Sequence, residues 1–287
     1  MAQAKRRERD EGEPDVKGVD AKVEGASGTA AADGLVPFEQ PGPLSRNVKI
    51  AIAVVALVIN LPIIHYFLFR GTPEATVGLP YQDDFSDPST VQKRYWSTGG
   101  LWRVVDGQLL CPGVKQNPLW LKAKLPQNVV VEFDARSQSP EGDIKVEIFG
   151  DGSDHASGYV LIHGGWNNTL SIIARRDEHG RSLQQVQAEA QRVAAEKRLP
   201  SAGLVETGVF NENTRMRVEA NPYPVQVGRT YHWRIERRGS KISWSIDGQP
   251  FMEFDDPIPL VGEAHNRFGF SCWEAQLYFD NLTITPL

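Results

Sequence analysis

Cysteine is scarce in this chain. Its two copies among 287 residues, Cys111 and Cys272, allow one disulfide at most and fall short of the four ligands of a structural zinc site. Neither a disulfide-dense scaffold nor a zinc module fits. A basic excess is lacking too: 31 Lys and Arg stand against 36 Asp and Glu, a formal charge of −5. That leaves no surplus to grip a phosphate backbone and argues against a nucleic-acid partner. The sequence also lacks a nucleophile elbow, a phosphate-cradling loop, a kinase signature and a dinucleotide fingerprint. Its glycine pairs, Gly99-Gly100 and Gly164-Gly165, have neither the spacing nor the strand-to-helix setting of those motifs. No internal repeat is evident.

What is present is unevenly distributed. Residues 1–47 are rich in charge, Gly, Ala and Pro with almost no aromatics, too little apolar surface to offset the entropy of ordering, which predicts a disordered tail. From Ile50 to Phe69 run twenty residues without a formal charge, IAIAVVALVINLPIIHYFLF, enough for a helix of about 30 Å across a bilayer. Asn60, Pro62 and His65 lower its hydropathy, but proline is tolerated in membrane helices. A cleaved signal peptide would need a shorter leading region and an A-x-A-like site after Phe69, so residues 48–70 read as an uncleaved single-pass anchor. Arg46 and Lys49 flank its start and Arg70 is the only base after it until Lys93. The positive-inside rule then places the N-terminus in the cytoplasm and the rest in the periplasm or outside.

After a linker, 71–80, residues 81–287 read as one domain. Apolar residues alternate with polar ones at Val129–Arg136, Ile144–Ile148, Tyr231–Glu236 and Ile242–Ile246, the period of half-buried strands. Turn pairs such as Asp106-Gly107, Asp151-Gly152 and Asp247-Gly248 punctuate them. The pattern predicts an all-β, antiparallel two-sheet sandwich. One insertion, about 175–226, breaks the rhythm: Ser182 to Gln185 resembles a capping box, and Leu183, Val186, Ala190, Val193 and Ala194 form a narrow apolar stripe before Pro200. A slip in apolar parity between Phe279 and Leu282 predicts a β-bulge.

The domain opens with Asp83-Asp84-Phe85, continues through Trp96, Gly100 to Leu109 and Tyr231 to Phe251, and closes on Phe279-Asp280-Asn281-Leu282-Thr283-Ile284. Together these stretches resemble the concanavalin A-like lectin/glucanase superfamily, in particular its laminin-G-like, bacterial 3-keto-disaccharide hydrolase-like branch. The resemblance covers most of 81–287 outside the insertion and implies a jelly roll. It also implies core positions for Trp96 and Trp102, and it brings Cys111 and Cys272 near paired terminal segments. Outside the cytoplasm these two could bridge; two buried thiols are the alternative.

Glycan-cleaving members work with paired carboxylates. Glu132 and Asp134 share a strand face at about 6.6 Å, but Arg136 stands where the glucanase pattern has its second Glu, so both are weak catalytic candidates. Calcium could bind at Asp151 and Asp154 in a Gly-containing turn, yet spaced acids and a distal Glu are lacking, and a plain turn explains the segment. We therefore expect no metal and no cofactor. Sugar recognition needs an exposed aromatic face with amides and acids beside it. Trp166 of the polar loop His163-Gly164-Gly165-Trp166-Asn167-Asn168 is the leading candidate, with His163, Asn167 and Asn168 beside it as ligand-binding partners; Trp273 with Glu274, and Trp120, follow. Trp233 and Trp244 alternate with polar residues and belong in the core. The expected function is a membrane-anchored, carbohydrate-binding module of a bacterial cell envelope. An envelope protein-interaction scaffold and a glycan-active hydrolase are the alternatives.

Overall fold

The computed structural model describes residues 42–69, 74–200 and 203–287. The expected tail lies almost wholly outside the described residues, as does the start of the linker. Helix α1 (Arg46–Phe69) begins two residues inside the span expected for the tail. Its stretch Arg46–His65 is long and apolar enough to cross a membrane, and its apolar side chains from Ile50 to Ile64 are exposed. The polar Asn60 amide is satisfied within the helix, donating to the Ala56 carbonyl at 2.7 Å.

The second unit is built from strands. In chain order they are β1 (Tyr81–Asp83), β2 (Tyr95–Ser97), β3 (Arg103–Val105), β4 (Gln108–Pro112), β5 (Leu119–Leu121) and β6 (Val129–Ser137). Next come β7 (Ile144–Gly150), β8 (Tyr159–Gly164), β9 (Leu170–Arg175), β10 (Arg181–Ser182) and β11 (Met216–Glu219). The last are β12 (Thr230–Arg238), β13 (Lys241–Ile246), β14 (Gln249–Asp255), β15 (Arg267–Ser271) and β16 (Gln276–Pro286). One sheet runs β14-β13-β12-β6-β16-β4-β3, with β1 also pairing β16; the other runs β10-β11-β9-β8-β7-β15-β5-β2. All pairings are antiparallel except β10 with β11. Together the sheets form a jelly-roll sandwich with a helical insertion.

Period two decides which side chains meet between the sheets. Val129, Val131, Phe133 and Ala135 of β6 face inward, as do Tyr231, Trp233 and Ile235 of β12 and Ile144, Val146 and Ile148 of β7. Phe133 packs edge-on to Phe270 of β15 at 5.7 Å between ring centroids and lies 5.3 Å from Trp233, which ties one sheet to the other. Asp247 and Gly248 both take positive φ, the conformation a two-residue hairpin demands, and close β13 onto β14. The expected bulge is present as a register shift between Asp280 and Thr283, with Asn281 at φ 52°.

A buried polar lock fastens the insertion to the sandwich. Arg175 Nε donates to Asp256 Oδ2 at 2.9 Å, Tyr159 donates to the same oxygen at 2.7 Å, and Arg175 also reaches the Thr214 and Ile258 carbonyls. Helix α2 (Leu183–Lys197) starts with a complete capping box between Ser182 and Gln185. It buries Val186, Ala190 and Ala194 on its own domain, with Leu183 packed against the same core.

Candidate functional site

The site lies on the face of the second sheet that points away from the core. There β7 presents Lys145 and Glu147, opposite in parity to Ile144, Val146 and Ile148. Alternation alone predicts a solvated polar edge, but both side chains are buried. Neighbouring outward positions are apolar: Val160, Ile162, Ile172 and Ala174 form a second small core. The loops after β7, β8 and β9 are what cover this face.

Its floor is a chain of buried charges. Lys145 Nζ lies 3.2 Å from Glu178 Oε2 and 3.8 Å from Asp143 Oδ1, so the two carboxylates are no more than about 7 Å apart. Asp143 also accepts the Trp273 backbone N–H at 2.6 Å. Burial pushes the Asp143 carboxyl up to about 6, with nearby Glu178 adding to the rise while Lys145, the Trp273 N–H and His155 oppose it. Further along β7, Glu147 is wholly buried and is held by His155 Nδ1 at 2.6 Å and the Ala156 N–H at 2.7 Å. Burial works to lower the His155 pKa, but the Glu147 carboxylate outweighs it and the net direction is up.

Two tryptophans stand over this floor. Trp166, Asn167 and Asn168 have φ of 50°, 56° and 62°, a left-handed turn. Asparagine tolerates that region, but for a side chain such as Trp it costs about 1–2 kcal/mol. The turn is held by Asn168, whose amide donates to the Val225 carbonyl and accepts the Val225 N–H, both at 2.7 Å. A Cβ on Gly142 would come within 2.7 Å of Asn168 Oδ1, so only glycine fits beneath it. Trp166 is thereby left 38% exposed, edge-on to His179 and 5.7 Å from the Arg217 guanidinium. Arg217 in turn donates to the Glu178 carbonyl at 2.7 Å, linking this wall to the floor.

Trp273, 40% exposed, follows directly on Cys272. Cys111 and Cys272 form a disulfide across 161 residues of sequence, joining the end of β4 in one sheet to the end of β15 in the other. The bridge and the Asp143 carboxylate anchor the Trp273 loop. Lys115 lies 5.0 Å above the Trp273 ring and pairs with Glu274 at 2.6 Å.

Between the two walls is a cleft of about 330 Å³, within the size range of small-ligand sites. Trp166, Asn167, Trp273 and Glu274 line it together with Asp143, Lys145, Glu178, His179, Glu141 and Gln116. A larger groove of about 810 Å³ runs past Tyr223, Phe251, Arg229 and Asp247. Its charges are paired, Arg229 with Asp247, Glu219 with Arg217 and Glu253 with Lys241, each at 2.8 Å, and Tyr223 stacks on His163. The smaller cleft, with convergent unlike groups, is the better candidate.

Of the expected ligand residues, Trp166, Asn167, Trp273 and Glu274 therefore converge, and His163, Asn168 and Trp120 do not. His163 belongs to the inward parity of β8: it is fully buried, donates from Nε2 to the Tyr223 carbonyl at 2.8 Å, and packs among Tyr231, Trp233 and Trp244. Burial pushes its pKa down to about 4, so it is a neutral core imidazole. Asn168 spends its amide on Val225 and is a strut. Trp120 is also buried, lying against Gly150 and Gly269, whereas Trp96, expected in the core, is only partly covered. The floor residues Asp143, Lys145 and Glu178 were hidden from sequence reading: the first two look like a polar strand face, and Glu178 looks like ordinary loop.

The weak candidates lie elsewhere. Glu132 and Asp134 sit on the open face of the first sheet, paired with Arg234 at 3.2 Å and His232 at 2.8 Å, and Asn281 donates to Asp134 at 2.8 Å. Asp151 Oδ1 accepts the Ser153 and Asp154 N–H groups at 2.7 and 2.8 Å, which is the plain turn considered as the alternative to calcium. Among the described residues no group of three or more His, Cys, Asp or Glu could hold a metal ion.

No family model matches the chain, and no curated protein is similar to it in sequence. Among solved structures it is similar to the carbohydrate binding module CBM66 from Bacillus subtilis, at 14% identity over 67% of this chain and 94% of that one, with a TM-score of 0.46. It is similar to the Bacillus licheniformis β-glucanase at 8% identity, over 74% of this chain and 100% of that one, with a TM-score of 0.46. A third likeness is to the Emp47p carbohydrate recognition domain, at 9% identity over 75% of this chain and 99% of that one, with a TM-score of 0.45.

Proposed function

We propose that this chain is a membrane-anchored carbohydrate-binding module whose ligand sits in the cleft between Trp166 and Trp273. The observation that carries the reading is the pairing of two half-exposed indoles, one held in a strained left-handed turn, over a floor of fixed polar groups. An aromatic face supplies apolar contact to a sugar ring while carboxylates and amides orient its hydroxyls. Backbone strain at the platform residue fits a functional role. The scaffold alternative loses its main support, because the apolar stripe of α2 is spent on its own domain. The N-terminus is cytoplasmic in this reading, and the sandwich is exported. The Cys111–Cys272 disulfide supports an oxidising compartment.

The test uses the full chain in detergent micelles, titrated with a panel of envelope polysaccharides and oligosaccharides and followed by tryptophan fluorescence. Saturable quenching that disappears in Trp166→Ala is the expected result; a folded protein that binds no saccharide would return the weight to the scaffold reading. Orientation has a separate readout. Protease added to spheroplasts expressing the chain should digest 81–287, and protection would reverse the assignment.

A further inference from the structure

The balance of charge in the cleft narrows the ligand, on the premise that the cleft binds saccharide. In the floor, two carboxylates, Asp143 and Glu178, share one ammonium, Lys145, and at the edge the His179 imidazole lies 3.8 Å from Glu178 Oε1. At the rim, charges cancel where they pair: Lys115 with Glu274, and Arg217 with Glu219 at 2.8 Å. Glu141 is exposed at the rim and has no ion pair among the described residues. The cleft is therefore short of positive charge in a place where water is partly excluded and screening is weak.

One acceptor in the floor is also unfilled. Glu178 is 8% exposed, and its Oε2 is buried with no hydrogen-bond partner; Lys145 Nζ at 3.2 Å is an ion-pair neighbour only. A buried carboxylate that lacks hydrogen bonds is costly and gains most from a charged donor. The upward push on Asp143 comes first from its burial, with the nearby Glu178 carboxylate a smaller addition that Lys145 and the Trp273 N–H oppose. A primary ammonium brings three donors and one positive charge, and indole faces attract cations as well as sugar rings.

We infer that the cleft selects a saccharide bearing a protonated primary amine, the ammonium seated against Glu178 and Asp143 and the sugar ring against the indoles. An N-acetylated or plain hydroxyl sugar of the same shape satisfies the rings and leaves the floor unneutralised.

The experiment compares a β-1,4-linked glucosamine tetramer with its fully N-acetylated counterpart and a glucose tetramer. Each is titrated into the full chain in detergent at pH 7 and moderate salt. The amine form should bind about tenfold tighter or more than either neutral form. Glu178→Gln should reduce that preference to about threefold or less. Glu141→Gln, an exposed change that leaves folding unaffected, should reduce it by about two- to threefold, and Glu253→Gln, an acid on β14 outside the cleft, should leave it intact. Equal binding of all three tetramers, still dependent on Trp166, would overturn the amine selection and keep the carbohydrate site. A preference for the amine form that survives both cleft substitutions would mark diffuse attraction to an acidic protein and likewise overturn it. Failure of every tetramer to bind would count against the site itself.

Discussion

The outer faces of the two sheets carry nearly the same alphabet to opposite ends. On β6, Glu132, Asp134 and Arg136 alternate outward; on β7, Lys145 and Glu147 do so directly after Asp143. The β6 charges remain partly in water and meet His232, Arg234 and Gln108 across the sheet. Those of β7 are buried beneath loops that bring Glu178, His155 and Trp166 over them. Charge pattern along a strand does not make a site. The loops decide whether a row of charges is a solvated surface or the floor of a cleft, because burial raises the stakes of every unpaired group.

Deleting one cation from each face tests that contrast most severely. Lys145→Met leaves Asp143 and Glu178 close together and desolvated with their shared partner gone, which should cost about 3–5 kcal/mol. Arg234→Met on the other sheet removes a partly exposed partner of Glu132 and should cost under about 1 kcal/mol. Denaturant unfolding of both variants measures the difference. Similar losses would mean that the β7 charges are better hydrated than their burial indicates.

The pH dependence of stability sharpens the same comparison. In the unfolded chain Asp143 ionises near its ordinary value of 3.8, whereas in the folded protein it does so at about 6. Between these values the folded state holds a proton that the unfolded state lacks. That contribution is full below pH 4 and is lost as pH rises through 6, by roughly 3 kcal/mol at most. Asp143→Asn keeps an acceptor for the Trp273 N–H, so it should flatten the stability profile between pH 4 and 6 and cost little or nothing at pH 7.5. An unchanged slope in the variant would assign the buried titration to another group.

Aromatic residues extend the comparison from stability to binding. Trp166→Gly removes the platform and relieves the left-handed strain, so saccharide affinity should fall about thirtyfold, or about 2 kcal/mol. Unfolding stability should stay within about 1 kcal/mol, since the relief of strain offsets the lost contacts with His179 and Arg217. Tyr278→Ala, on the open face beside Arg136, should leave binding unchanged. If Tyr278 mattered as much as Trp166, the ligand would lie on the wrong sheet.

How much of this was legible in the sequence follows from the range of the forces involved. Period-two alternation, Asp-Gly turns, the capping box at Ser182 and the parity slip near Asn281 are local signals, and each marks an element present in the structure. Trp166 was legible because a large aromatic in a Gly- and Asn-rich loop has little chance of burial. The floor was not legible, since Glu178 reaches Lys145 only through a loop that folds back over the sheet, and nothing within a few residues of either announces the other. His163 shows a related limit. Its place beside the Gly- and Asn-rich loop suggests a ligand, but its strand parity turns it inward among Tyr231, Trp233 and Trp244.

The smallest expected effect concerns Glu132 and Asp134, the acids that strand spacing alone recommends for catalysis. Both are partly exposed and already partnered by Arg234 and His232, so removing their charge costs only the exposed pairings, under about 1 kcal/mol in total. The double variant Glu132→Gln, Asp134→Asn should therefore bind every saccharide as the parent does, since neither residue lines the cleft. Titration of that variant with the three tetramers reads the outcome directly. Lost binding would move the ligand to the first sheet and restore the catalytic pair to consideration, whereas unchanged binding leaves β6 as a solvated face whose acids serve their neighbours on the sheet.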